Sequence, residues 1–426
     1  MKLQSKYMVF QSAAIALVIL AGLFVMNSRR RPSKPPETPV DKYQRSWEHK
    51  ALKSQRNLDL NVPMKDALFV YTHNTYNSKA YRTAVRYLDP NHTYSIKDQL
   101  RMDVRAIELD VHYYFSMKGW PWEWGKKPLL CHGQGNHLGC SSYDRHLSEG
   151  IDEINSWIRS NRSEVLIIYI EEHMDNKKQD AINVIKSRLG DLIYRPSGGC
   201  KDLPINMGKQ QILNAGKNII LTGAGCDHSD YGKWVFKFSK VKSGGDIRNY
   251  PSCSTGANRN DYNNNLVRHW EDLTTLSAWF GSPGQKTTPT NMSYMVRCGV
   301  NLPGTDKLTP TDGRLAAAVW SWDRNEPNNW GGNEDCASQW GNGRWNDANC
   351  NNRYRFACKD SSGNWYVTRG TGPWTSGQST CARERSGGRF EAPANGYENE
   401  LLKAAKGGGT VWVKFSDRAR EGTFVK

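Results

Sequence analysis

The chain is short of several features that would place it quickly. None of its ten cysteines forms a Cys-x-x-Cys pair, which argues against zinc ribbons and dithiol redox motifs. Scattered cysteines of this kind read as disulfides made in an oxidising compartment. The net charge of +16 comes with no basic helix and no nucleic-acid-binding pattern, so no nucleic-acid partner is expected. The excess points instead to acidic partners such as anionic lipid headgroups or phosphates, and part of it simply solvates the surface. One apolar run, Tyr7 to Met26, approaches the length that spans a bilayer, and Lys2 and Lys6 precede it. It reads as a signal anchor or a signal peptide. The lack of a small-x-small cleavage site before Asn27 favours the anchor. Arg29, Arg30 and Arg31 follow on the side that disfavours export of what comes next. The cysteines outweigh them, so the bulk of the chain is expected to be extracytoplasmic, either secreted or membrane-anchored.

Sixteen Trp and 38 Gly indicate a loop-rich, well-packed globular protein. Residues 29 to 40, with three Arg and four Pro, read as a stiff stalk. From 41 to 322, strand-like and helix-like runs alternate. Ala67–Tyr71, Val104–Tyr114, Val165–Ile170, Asn218–Thr222 and Ala316–Trp322 have strand character. Asp144–Asn161, with Leu147, Ile151, Ile154 and Ile158 on one face, has helical spacing. Asn176–Leu192 and Asn263–Phe280 read likewise. The alternation predicts an α/β fold, a TIM-type (β/α) barrel. After Trp322, Trp, Asn and Gly dominate, and residues 323 to 426 are expected to form a second, smaller domain. Asn91-His-Thr, Asn161-Arg-Ser and Asn291-Met-Ser are glycosylation triplets.

The polar residues in the first half fall at strand ends. Ala67–Tyr71 hands over to His73 and Asn74. The second strand carries Glu108 and Asp110, two apart and therefore on one side. The third ends at Cys131-His132-Gly133, and the fourth at Glu171-Glu172-His173. In a barrel these ends converge on one mouth. Paired carboxylates there are costly unless they share a cation or a proton.

These segments, His73-Asn-Thr-Tyr, Ile107-Glu-Leu-Asp-Val, Cys131-His-Gly and Ile170-Glu-Glu-His, resemble the X region of phosphoinositide-specific phospholipase C, in its calcium-dependent form, over residues 60 to 175. The resemblance implies phosphodiester cleavage by an internal inositol hydroxyl. It implies catalytic histidines at His73 and His132 and calcium held by Asn74, Glu108, Asp110 and Glu171. Such a donor set is chemically apt, because calcium takes hard oxygen ligands. His73 is expected to stabilise charge on the phosphoryl oxygens, and His132 to protonate the leaving oxygen. Glu172 and His173 are expected to support the site. Lys209 and Lys217 are the candidates for reading a phosphorylated headgroup. No lipid-binding module like those of the signalling enzymes is visible, so phosphatidylinositol, its glycosylated forms or another phosphodiester remain open as substrates. Trp120, Trp122 and Trp124, flanked by Lys118, Lys126 and Lys127, are expected on the mouth rim, either docking on a membrane surface or packing the loop. Cys131, His132, His137 and Cys140 match no zinc-finger spacing, and a Cys131–Cys140 disulfide is expected. Cys200–Cys226 and Cys253–Cys298 are the expected further bridges.

In the last hundred residues Glu326-Pro-Asn328, Glu334-Asp-Cys336, Trp345-Asn-Asp347, Cys350 and Cys358 resemble the second half of a C-type lectin domain. Its first half is similar to Trp374–Cys381, Gly387–Phe390, Asn399–Leu402 and Val411–Val413, which come afterwards. The order implies a small α+β domain that is circularly permuted, or else two damaged tandem copies. The resemblance implies bridges Cys336–Cys350 and Cys358–Cys381. It also implies a second calcium on Glu326, Asn328, Glu334, Asn346 and Asp347 that takes a mannose- or glucose-type glycan. The lead expectation is a calcium-dependent phospholipase C-like phosphodiesterase with a glycan-binding module. The alternatives are a cell-surface lectin or adhesin whose barrel is catalytically silent, and an enzyme for another phosphodiester.

Overall fold

The computed structural model describes residues 36–81, 90–226, 230–238, 242–243, 247–253, 265–269 and 287–426. The apolar run Tyr7 to Met26 lies outside them. Among the described residues no helix is long and apolar enough to cross a membrane.

Residues 43–426 form one compact unit, apart from residues 1–42. Its larger sheet contains β1 (Tyr71–Thr72), β2 (Ala106–Ser116), β3 (Gly125–Leu130), β4 (Arg145–His146), β5 (Leu166–His173), β6 (Ile193–Tyr194), β7 (Ile219–Gly223), β8 (Val235–Lys237), β9 (Lys242–Ser243), β10 (Val267–His269) and β11 (Leu302–Thr305). The order is β6-β7-β5-β2-β1-β11-β10-β9, with β8 also on β7. All of these pairings are parallel. The result is a TIM-type half-barrel of parallel strands. Continuous apolar runs are what a parallel sheet requires, since both faces are covered. Ile167, Ile168 and Ile170 of β5 and Ile219, Ile220 and Leu221 of β7 are all buried.

Five helices matter for the site and its supports. They are α1 (Trp47–Leu58), α2 (Leu147–Arg159), α3 (Lys178–Leu189), α4 (Lys209–Asn214) and α5 (Pro289–Arg297). Helix α2 buries Leu147, Ile151, Ile154 and Ile158, the predicted stripe, and its first turn is closed by Glu149 accepting from the His146 N–H at 2.7 Å.

Three predicted elements differ. Val267–His269 is a strand, where a helix over Asn263–Phe280 was expected; the rest of that stretch lies outside the described residues. Arg314–Ala318 is a short helix, α6, where a strand from Ala316 was expected. Three successive alanines favour the helix. Strand β3 runs antiparallel to the outer half of β2, from Val111↔Leu130 to Ser116↔Gly125. The third polar segment is therefore carried by a hairpin and not by a parallel barrel strand.

The smaller sheet has β12 (Cys336–Gln339), β13 (Trp345–Ala348), β14 (Arg355–Lys359), β15 (Trp365–Val367), β16 (Arg389–Phe390) and β17 (Val411–Ser416), with α7 (Gly377–Glu384) and α8 (Gly396–Lys406). Its order is β13-β12-β17-β14-β15, so the last strand of the chain sits at the centre. Trp322, fully buried, packs on Trp345, Phe415 and Phe424. The expected break after Trp322 thus falls inside a packed core. The five disulfides pair as expected: Cys131–Cys140, Cys200–Cys226, Cys253–Cys298, Cys336–Cys350 and Cys358–Cys381.

Candidate active site

The carboxyl ends of β1, β5, β10 and β11 and the inner half of β2 meet around one buried polar cluster. Asn74 follows β1 with φ 46°, in the left-handed region that Asn tolerates. The turn is held by Thr75, whose hydroxyl donates to the Thr72 carbonyl (2.8 Å) and accepts from the Glu108 N–H (3.0 Å). Glu108 and Asp110 point inward from β2 and are nearly fully buried, while Ile107, Leu109 and Val111 cover the opposite face. The parallel register sets Asp110 beside Glu171. One oxygen from each of Glu108, Asp110 and Glu171 lies within 4.8 Å of the others.

Several groups surround these acids. The Tyr71 hydroxyl donates to Glu108 in a short hydrogen bond, and the Tyr76 hydroxyl donates to Asp110 at 2.9 Å. His173 Nε2 meets Glu171 at 3.0 Å, and that contact is the main reason the Glu171 carboxyl lies below its usual range. The Arg268 guanidinium lies 3.8 Å from Glu108 and 3.4 Å from the Tyr71 hydroxyl. Burial, then Glu108, then Glu171, push the Asp110 carboxyl well above the ordinary range. Like charges in a dry site hold a proton unless a cation replaces it.

The Asn74 side-chain amide lies between the two Asp110 oxygens (3.0 and 2.8 Å) and His132 Nε2 (3.2 Å); with its nitrogen turned to the carboxylate, its oxygen accepts from Nε2. The structure therefore brings His132 to the cluster through the hairpin and the Cys131–Cys140 loop. On the other side His73 Nδ1 lies 3.5 Å from Asp306, and His92 Nε2 meets the His73 carbonyl at 2.6 Å. Burial depresses the His73 imidazole, but Glu108, Asp306 and Asp110 outweigh it and raise its pKa to about 10. Asp306 also accepts from Asn91 Nδ2 at 3.0 Å; Asn91 accepts from Asn77 Nδ2 at 2.6 Å; and Asn77 Nδ2 faces His132 Nδ1 at 3.2 Å. Asn91 is fully buried, which leaves no room for a glycan on its triplet.

Lys209 and Lys217 are not at this mouth. Lys209 is buried in an ion pair with Asp59, and Lys217 donates to the Asp191 carbonyl at 2.8 Å just before β7 begins, at the opposite end of the strands. They are corrected as headgroup candidates: each serves local packing. Glu172 is paired with Lys178 at 2.6 Å.

Trp120, Trp122 and Trp124 lie on the turn between β2 and β3, 66%, 77% and 44% exposed, with the first two rings stacked at 5.2 Å. That exposure rules out loop packing as their main role. Phe115, Leu138 and Tyr143 are exposed as well.

Far from this mouth in sequence, Glu326, Asn328, Glu334 and Asp347 form a second acidic group. Asn328 Nδ2 donates to Glu326 Oε1 at 2.8 Å, and Asp347 accepts from the Asn328 and Asn329 N–H groups at 3.1 and 2.7 Å. Glu334 accepts from the Trp330 N–H at 2.8 Å. Glu326 Oε2 is buried and receives no donor from the protein; only Asp347 is open to it, through a shared proton. Burial, then Asp347, Glu334 and Asp323, push its carboxyl up to about 8. Asn346 turns its nitrogen onto the Asp347 carbonyl.

Sequence reasoning missed Asp306, Arg268, Tyr71, Tyr76 and His92. Asp306 follows Leu302-Pro-Gly-Thr305, whose Pro and Gly mask a strand. Arg268 lay in a stretch read as helix. A tyrosine in an apolar run carries no polar signal until its hydroxyl is placed.

The half-barrel and its buried cluster of His, Asn and carboxylates define the class. Residues 34–312 match the family described as the Rv2075c PI-PLC-like domain, and the chain belongs to that family. Among its relatives is the uncharacterized protein Rv2075c of Mycobacterium tuberculosis strain H37Rv, 32% identical over 404 residues, covering 88% of this chain and 81% of the relative. Protein MT2135 of strain CDC 1551 matches to the same extent. Among solved structures, the phosphatidylinositol-specific phospholipase C from Listeria monocytogenes is 14% identical, with TM-score 0.42, covering 63% of this chain and 98% of that one.

Proposed function

We propose that the chain cleaves phosphatidylinositol-type lipids by a phospholipase C reaction and carries a calcium-dependent glycan-binding module at its carboxyl end. The observation that carries the first part is the convergence of His73, His132 and three carboxylates in one buried cluster. Within it His73, cationic near neutral pH, offers positive charge to the phosphoryl oxygens. His132 directs Nε2 at the same space, where its N–H hydrogen-bonds the leaving oxygen as charge develops there.

Glu108, Asp110 and Glu171 fit a divalent ion. They are hard oxygen donors, close together, and burial with two neighbouring carboxylates raises the Asp110 carboxyl, a cost that an ion would relieve. Asn74 joins them as a fourth donor if its amide turns over. Calcium there supplies charge screening and a lowered pKa for the attacking hydroxyl. A second reading has its own support: Arg268 already pairs with Glu108, so a guanidinium provides part of the positive charge without metal. Release of the headgroup from phosphatidylinositol vesicles, measured with and without chelator and with His73→Ala, decides. Activity that survives both changes sinks the site; activity that survives the chelator alone selects Arg268.

For the module, the buried oxygen of Glu326, which no protein N–H or O–H satisfies, is the supporting observation, with Glu334, Asp347 and Asn328 around it and Asn346 as a fifth donor once turned. The exposed Trp330 beside it offers an apolar face to a sugar ring. The order of α7, α8 and the central β17 supports a circularly permuted C-type lectin-like domain. The exposed Trp turn, with Lys126 and Lys127, supports docking on an anionic membrane surface. Five disulfides support an extracytoplasmic location.

A further inference from the structure

His132 Nδ1 faces a chain of amides oriented by a carboxylate. Asp306 takes Asn91 Nδ2 at 3.0 Å, which turns the Asn91 oxygen toward Asn77. Asn77 Nδ2 donates to that oxygen at 2.6 Å, and the same nitrogen faces His132 Nδ1 at 3.2 Å. An amide nitrogen can only donate, so Nδ1 carries a lone pair, and the proton of the neutral ring sits on Nε2. Nε2 lies on the opposite side of the ring, 3.2 Å from the Asn74 amide. Asn77, Asn91 and Asp306 are fully buried, so water does not compete to reorient the amides.

We infer that Asn77 and Asn91 are positioning residues: an oriented amide relay, anchored on Asp306, that keeps the single proton of His132 on Nε2, the nitrogen facing the pocket. Asp306 is also the carboxylate beside His73. The relay therefore ties the two histidines to one anchor, through Asn91 and Asn77 on one branch and directly on the other. Turning either relay amide over sets oxygen against oxygen at the next link, so the tautomer is locked by the whole chain of contacts rather than by one. Its catalytic significance rests on the phosphodiesterase reading; the tautomer does not.

The test is long-range proton–nitrogen NMR on the histidine rings of the full chain in chelator-containing buffer, with His132 assigned by His132→Gln. A ring protonated at Nε2 in the parent is expected. Asn77→Asp replaces the donor facing Nδ1 with an acceptor of the same size and is expected to move a proton to Nδ1. A parent ring protonated at Nδ1 overturns the inference, and so does an Asn77→Asp ring that keeps the parent tautomer. The parent measurement needs no variant to fold. If the parent cleaves no phosphodiester, the functional reading falls while the spectrum still decides the relay.

Discussion

Asp306 is the residue on which both histidines depend, and no short motif announces it. It stands 3.5 Å from His73 and anchors the amides that reach His132. Asp306→Asn keeps the size, removes the charge beside His73 and frees the relay to turn. Vesicle assays are expected to show kcat reduced about 100-fold, within the range for a group acting through proton transfer, while circular dichroism stays that of the parent. At the second acidic group, Glu326 has its pKa raised to about 8 by burial and by Asp347, Glu334 and Asp323. A carboxyl of this kind is protonated near neutral pH, and an ion can bind it only by displacing the proton. Calcium binding by the module is therefore expected to release a proton and to weaken as the pH falls through about 8. Calorimetry in buffers of different ionisation enthalpy reads this directly, and calcium binding without proton release would exclude Glu326 as a ligand.

Two elements hold the site, one from outside and one from below. The β2–β3 hairpin extends past the parallel sheet, carries the exposed tryptophans at its turn and returns the chain to Cys131 and His132. Replacing Trp120, Trp122 and Trp124 together by Ala is expected to reduce binding to anionic vesicles by at least about 10-fold, since each buried aromatic contributes on the order of 1–2 kcal/mol at a membrane. Vesicle sedimentation equal to the parent's would remove the hairpin from the docking reading. Below the sheet, Arg56 of α1 and Arg105 before β2 both contact Glu164 at 3.0 Å, all three nearly buried. Burial alone raises the Glu164 carboxyl, but Arg105 and Arg56 more than reverse it and hold it well below its usual range. A depressed carboxylate contributes stability that is full above its unfolded pKa of about 4.3 and is lost as the pH falls below it. Glu164→Ala leaves two buried guanidinium groups without this partner and is expected to cost about 3 kcal/mol in denaturant unfolding at pH 7. The loss should shrink below about pH 4.

At the scale of the molecule, the parallel half-barrel and the C-terminal sheet are tied together by direct contacts. The Trp322 indole donates to Ser54 at 3.0 Å, Gln55 accepts from the Trp320 and Ser321 N–H groups, and Arg297 pairs with Glu400 at 2.7 Å. A chain ended after Trp322 would strip Trp320 and Trp322 of Trp345, Phe415 and Phe424 and expose on the order of 150–250 Å² per ring. Expressed alone, residues 43–322 are expected to aggregate or to melt at least about 10 °C below the full chain, the scale of a loss of a few kcal/mol. A monomeric, equally stable fragment would show that the shared aromatic core is dispensable.

The amino-acid order by itself determined much of this protein. The β5 and β7 runs, the stripe on α2, the Cys131–Cys140 bridge, the same-side placing of Glu108 and Asp110, and His73 and Glu171 near strand ends were legible there. The reason is that burial, side-chain alternation and loop chemistry act over a few neighbouring residues. Only the tertiary structure decided that Asp306 and Arg268 enter the pocket, that β3 turns back as a hairpin, that Lys209 and Lys217 serve the other end, and that Trp322 belongs to a core shared with the last strand. Those outcomes depend on which distant strands become neighbours. Contacts across more than 200 residues, such as Asn91 to Asp306, have no local periodicity to betray them.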